Sequence, residues 1–197
     1  MMMKQIFAAL ILSLIVLSVS AQDHLKVKGI PIDGPTSSFI AKLKAAGLKT
    51  NARFSEALGR PILDGDFANL SDCTYSFLET KDGTVCKVII MSDHITGWYS
   101  CKSKYEDLKE LLRTKYKVDG IYELFRSPYY EGDGYELSAI SQEKAMWKTY
   151  FSCDEGHISI SIDASNTSEG YITVVYEDEI NMSKFVAERE KKYSDDI

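Results

Sequence analysis

Apolar and polar positions along the chain change period several times, and each change marks an element. From Thr36 to Gly47, Phe39, Ile40 and Leu43 recur at helical spacing while Lys42 and Lys44 lie off that face. Thr36 is placed to cap this helix, with Pro35 before it and Ile40 four residues in as a hydrophobic staple. Gly47 and Leu48 fit a Schellman ending, with Leu48 set against Leu43. Arg53 to Leu58 and Pro61 to Leu70 read as strands punctuated by Gly59 and Gly65. Cys73 to Glu79 alternates, Lys81-Asp82-Gly83 is a turn, and Thr84 to Met91 is a β-branched run, so the two runs form a hairpin. Ser103-Lys104-Tyr105-Glu106 has the spacing of a capping box before a second helix with Tyr105, Leu108, Leu111 and Leu112 on its buried face. Trp147 to Cys153, His157 to Asp163 and Tyr171 to Glu177 are strands, and 181–192 is a last helix.

The order of these elements repeats. "GTVCKVIIMSD" from Gly83 aligns with "GYITVVYEDE" from Gly170, and each half opens on a helix. This predicts a tandem duplication of an α-β-β-β unit, with half-repeats at about 29–96 and 97–180. The fold class is α+β: a two-layer domain with one antiparallel sheet, helices on one face and a C-terminal helix.

Composition and charge add a location. Lys4 precedes an apolar run from Ile6 to Leu17, and Ser18-Val19-Ser20-Ala21 puts small residues before a cut after Ala21. That is the pattern of a secretory signal peptide over residues 1–21, and its apolar run is shorter than the roughly 20 residues that span a bilayer. The expected mature chain is a single domain, 22–197, with no membrane-spanning segment, located in the periplasm or outside the cell. Loss of Lys4 leaves the mature chain at net charge −7. An acidic chain without a basic run has no means of neutralising phosphates, so nucleic acid is excluded as a partner.

Four cysteines, Cys73, Cys86, Cys101 and Cys153, permit two disulfides in an exported protein. They also fall beside apolar residues, where free thiols serve as small core groups, and the residues leave both alternatives open. No metal-binding spacing and no cofactor motif occurs, so no cofactor is expected. Serine-hydrolase and phosphate-loop signatures are missing too. His24 stands in an N-terminal segment expected to fray, and His94 and His157 stand at strand ends. A Cys-His-Asp site built from Cys101 or Cys153 with His157 and Asp163 is conceivable, but no spacing demands it. Asp64-Gly65-Asp66 reads as a bend in a strand rather than a calcium loop. The sequons at Asn69, Asn166 and Asn181 are read as chance.

Asp119 to Ala139 has no clear period and carries five aromatics among Gly, Ser and Pro. Tyr combined with Gly and Ser supplies rigid contact area on an adaptable backbone. Arg126, Tyr129, Tyr130 and Asp133 are therefore the candidate contact residues for a protein or glycan partner. The bland alternative is a connector whose aromatics pack on the sheet. Catalytic residues are not expected. The functions in competition are a binding module, an enzyme acting on an envelope or host polymer, and an accessory of an envelope assembly that accepts a partner strand at Tyr171 to Glu177 or Arg53 to Leu58.

"HLKVKGIPIDGPTSSFIAKLKAAGL", "LDGDFANLSDC", the Trp98-to-Tyr116 pattern of W, Y, L, L and KY, and the late "GHISISI" and "VVYED" cover nearly the whole mature chain. In these the chain resembles a family of small secreted proteins of gut Bacteroidales that have no assigned function. The resemblance implies export and supplies no catalytic residues. Lys117 departs from the glycine usual after KY in that family, which touches only the local helix end. The duplicated arrangement is also similar to the beta-lactamase-inhibitor-protein-like architecture, a likeness of fold that carries no function.

Overall fold

The computed structural model describes residues 23–195. The expected signal peptide, 1–21, lies outside the described residues. Two short strands, β1 (Lys26–Val27) and β2 (Ile30–Pro31), form a small hairpin. Then follow α1 (Thr36–Ala45), β3 (Lys49–Thr50), α2 (Ala52–Leu58), β4 (Leu63–Phe67), β5 (Leu70–Glu79), β6 (Val85–Met91) and β7 (Ile95–Thr96). The second half runs α3 (Trp98–Arg113), β8 (Lys117–Phe125), α4 (Glu136–Ser141), β9 (Ala145–Cys153), β10 (Gly156–Ala164) and β11 (Glu169–Asp178), and α5 (Glu179–Asp195) ends the chain. The sheet order is β3-β4-β5-β6-β11-β10-β9-β8, with β7 pairing on β11 and every pairing antiparallel. The domain is α+β, and each half has the order helix, strand, helix, three-stranded meander. The strands whose letters align, β6 and β11, are the two that meet at the centre.

Side chains alternate across each strand, so the register fixes which residues share a face. Tyr75, Ile90, Val174 and Ile160 lie in one row across β5, β6, β11 and β10, and Phe77, Val88, Tyr176 and Ile158 in the next. Helices cover this face. Phe39 of α1 meets Phe77 edge-on, Trp98 of α3 meets Trp147 at 4.9 Å, and Leu137 of α4 lies over Gly170. The buried stripe of α3 is Trp98, Cys101, Tyr105, Leu108 and Leu112, a 3-4-3-4 spacing. Deep in this layer Lys109 pairs with Glu106 and Glu123 at 2.6 and 2.7 Å, and Tyr105 shares a 2.5 Å hydrogen bond with Thr149. No helix among the described residues is long and apolar enough to cross a membrane.

The Schellman ending of α1 is present: Leu48 N–H donates to Leu43 and Gly47 N–H to Lys44. Its start differs from expectation. Pro35 occupies the cap position, and the Thr36 hydroxyl donates instead to the Gly83 carbonyl at 3.1 Å, tying the helix to the β5–β6 turn. Arg53 to Leu58 is a helix and not a strand. Asn51 accepts from Phe54 N–H, Gly59 ends the turn at φ 62°, and those two caps outweigh the local strand propensity. The Ser103 capping box is not a start. α3 begins five residues earlier after Gly97, whose φ of 83° turns the chain so that Trp98 enters the core. Leu111 faces solvent, half-exposed. The bend at Asp64-Gly65-Asp66 is a β-bulge.

His24 is tied down rather than frayed. Its Nδ1 lies 3.0 Å from both oxygens of Asp178, and its Nε2 lies 3.5 Å from Asp33. Asp178 is fully buried; it also accepts from Leu25 N–H and from Asn181 N–H, the latter capping α5. Asn181 is itself buried and donates to Ile32 and Val85 carbonyls, which removes its sequon from solvent.

Candidate binding face

The alternation that buries one side of the sheet leaves the other side open, with polar and apolar side chains mixed. Thr74, Ile89, Met91, Thr173, Val175, Ser159 and Ser161 point away from the helices and stay half-exposed. Near the centre Lys87 and Glu177 pair at 2.5 Å across β6 and β11. On the β8–β9 side Tyr122 and Tyr150 meet edge-on at 5.8 Å, and the Lys148 ammonium lies 4.8 Å from the Tyr150 ring. α2 stands on this side, at the opposite margin.

Two clefts flank this open surface. The first, of about 410 Å³, lies beneath α2 with Phe54, Leu58, Met91 and Tyr171 as apolar walls. Arg60, Asp72, Asp93 and His94 give it a charged rim. The His94 ring stands edge-on to Tyr171, and its Nδ1 lies 3.4 Å from Ser165 Oγ. The second cleft, of about 490 Å³, lies over β8 to β10 and presents Tyr122, Leu124 and Met146 beside Arg126, Lys148 and Asp163. Both clefts fall in the size range of ligand sites, and both open broadly onto the sheet.

The four residues expected to make contact are divided by the structure. The irregular stretch is shorter than the sequence suggests: Lys117–Phe125 is the strand β8 and Glu136–Ser141 is α4, so only 126–135 is loop. Arg126 lines the second cleft. Tyr130 stands 64 % exposed at the loop tip. Tyr129 is half-buried, its hydroxyl donating to Gln142 at 3.3 Å. The Asp133 carboxylate is engaged inside the loop, accepting from the Tyr130 and Tyr135 amides. Arg126 and Tyr130 thus keep free contact surface, whereas Asp133 shapes the turn that presents them.

The cysteines form no disulfide; all four are free thiols. Cys73, Cys86 and Cys101 are buried and Cys153 half-buried. Burial pushes the Cys73 and Cys86 thiols up to about 11 and raises Cys101 and Cys153 as well. None is a thiolate at neutral pH, so none is an activated nucleophile. The imagined Cys-His-Asp set also fails to converge. Cys153 donates to Gly156 O, His157 lies 3.6 Å from Glu179, and Asp163 accepts from Ser161. The Ser165–His94 contact is long and exposed, and among the described residues no carboxylate orients that imidazole through a hydrogen bond. Among the described residues no group of three His, Cys, Asp or Glu is placed to hold a metal ion.

Comparison of the chain with protein-family models, curated proteins and solved structures finds no match. The geometry alone carries the functional reading. Sequence reasoning passed over Tyr150, Thr173, Ser159 and Ser161, although their signal was available as the polar members of alternating strands. It looked for a site in the loop because loops commonly carry function.

Proposed function

We propose that this protein is an exported recognition module that grips a protein partner with the open face of its sheet. One observation carries the reading: a broad rigid sheet presents half-exposed Tyr, Ser and Thr side chains, with Ile89 and Val175 at its centre and further apolar groups at both margins. Tyr gives large contact area for few rotatable bonds, and Ser and Thr give adaptable hydrogen bonding, the composition of recognition surfaces. The Lys87–Glu177 pair and the balanced charges of the second cleft suit a partner of mixed charge rather than a polyanion. The signal-peptide pattern of residues 1–21 supports export.

A photoreactive amino acid placed at Thr173 or Ser159, in the middle of the face, tests this in the native envelope. The expected result is a discrete protein adduct at both positions and none at Leu111, which is exposed on the helical side. Identical adducts from all three positions, or adducts to polysaccharide alone, would end this reading.

A further inference from the structure

The sheet has two edges of very different length. β3 offers two residues, whereas β8 offers nine and pairs on one side only. Arg126 N–H donates to Lys144 O at 2.7 Å, and this pair continues the register Phe125↔Ala145 and Leu124↔Met146. In an antiparallel ladder the bonding direction alternates residue by residue. Gly120, Tyr122 and Leu124 therefore turn their N–H and C=O groups toward β9. Ile121, Glu123 and Phe125 turn theirs outward, where no strand of the described residues meets them.

Such edges are usually blunted by lysines, prolines or bulges. β8 has its bulge early, between Val118 and Gly120, and the straight run Gly120 to Phe125 beyond it has no Lys and no Pro. Instead Ile121, Tyr122 and Leu124 are 48 %, 47 % and 43 % exposed.

We infer that β8 pairs with β8 of a second copy of this chain, antiparallel about a two-fold axis at Tyr122. An axis normal to the sheet keeps like faces together, so only residues of one face can stand opposite each other. An axis at Ile121 opposes Asp119 to Glu123 twice, and an axis at Glu123 opposes that carboxylate to itself; directly opposed like charges are destabilising. An axis at Gly120 runs into the bulge, and one at Leu124 carries half the pairing past the strand end at Phe125. The axis at Tyr122 opposes Tyr122 to Tyr122, Ile121 to Glu123 and Gly120 to Leu124, with no like charges facing. The outward amides and carbonyls of Ile121 and Glu123 then bond those of Glu123 and Ile121 in the second copy. Gly120 has a use in this register. A Cβ there would lie 3.1 Å from the Tyr122 ring, which leans over it, so Leu124 of the second copy lands on that ring. The pairing joins two open faces into one surface with Tyr122, Leu124 and Tyr150 of both copies at its middle.

Sedimentation of the mature chain, with cysteine cross-linking in a Cys153→Ser background, tests the pairing. Tyr122→Cys places two thiols in a non-hydrogen-bonded pair with Cα atoms about 4.5 Å apart, within disulfide reach. Ile121→Cys places them on a diagonal at about 7–8 Å, out of reach. The expected results are a dimer for the wild type, an oxidised dimer for Tyr122→Cys, and none for Ile121→Cys. Ile121→Pro removes an outward N–H that the chain's own ladder does not use, and it should yield a folded monomer. A wild type that stays monomeric overturns the proposal, as does cross-linking at Ile121→Cys equal to that at Tyr122→Cys. A dimer that persists in folded Ile121→Pro overturns it too. Should Ile121→Pro not fold, the two cysteine variants decide.

Discussion

Replacing Asp178 with Ala should loosen both ends of the chain at once, because one buried carboxylate holds them together. Asp178 Oδ2 accepts from Leu25 N–H at 3.0 Å, Oδ1 accepts from Asn181 N–H at 3.0 Å, and His24 Nδ1 lies 3.0 Å from each oxygen. Losing the α5 cap costs about 1 kcal/mol. Losing a charge-assisted bond to Leu25, and leaving that buried amide without an acceptor, costs about 1.5–3 kcal/mol more. The sum, about 2.5–4 kcal/mol, is a sizeable part of the 5–15 kcal/mol typical of a domain, roughly 10 °C in Tm for this size. Urea denaturation of the mature chain reads the total. Hydrogen exchange reads the location: the Leu25 and Asn181 amides should lose protection first, while β6 and β11 keep theirs. A loss below about 1 kcal/mol, or exchange that accelerates equally across the sheet, would refute the assignment of Asp178 as the tie between the N-terminal segment and α5.

Gly156→Ala should be destabilising by about 3 kcal/mol or more, because φ is 149° there and a Cβ would lie 2.1 Å from Glu177 O. Gly134→Ala, with nothing within 4 Å of its Cβ, should cost about 1 kcal/mol from its φ of 78°, and the ratio of urea midpoints checks the difference. The hydrogen bond from Lys102, with a second from Trp98 Nε1, holds the Glu131 carboxyl below its ordinary 4.5. A depressed carboxylate stabilises the fold above its unfolded value and ceases to as pH falls through its folded value, so this anchor of the 126–135 loop weakens only in acid. A carbon-detected titration should put the Glu131 midpoint below 4.5 in the wild type, and Lys102→Met should return it toward the ordinary range.

The parts of the fold that could be read from sequence are those where one face is apolar and the other polar. β5 and β6 alternate around a tight Lys-Asp-Gly turn, and β10 and β11 bury every second residue, so their period shows. β8 hides its period for a physical reason. Ile121, Glu123 and Phe125 line one side and Gly120, Tyr122 and Leu124 the other, so both sides are largely apolar, and the bulge at Asp119 shifts the phase. α2 was missed because seven residues hold too little of the helical period. Its signal lay in Asn51 and Gly59, with Phe54 and Leu58 four apart. The two strands named as free edges show the same limit. Tyr171 to Glu177 lies in the centre of the sheet and Arg53 to Leu58 is helical, because strand order is set by contacts distant in sequence. The open face escaped notice for that reason: Thr173, Ser159 and Tyr150 become one surface only when three strands are laid side by side.

The places where the duplicated halves differ are the places where the surface acquires character. After α1 the chain makes only two residues of β3, and then capped α2 crosses to the open face, where Phe54 and Leu58 wall a cleft. After α3 the matching strand, β8, runs nine residues, and α4 stays on the helical side with Leu137 over Gly170. One half therefore closes its edge and builds an apolar recess; the other leaves a long edge and a bare patch of Tyr122, Leu124 and Tyr150. A fold needing only stability would gain nothing from that asymmetry, since the exposed Ile121, Tyr122 and Leu124 of β8 bury little and the strand offers unpaired amides to any passing strand. Their retention beside a Tyr-, Ser- and Thr-lined face is best accounted for if the edge has an occupant. The loop that carries Arg126 and Tyr130 follows directly from that edge, and Arg126 lies at the rim of the same surface.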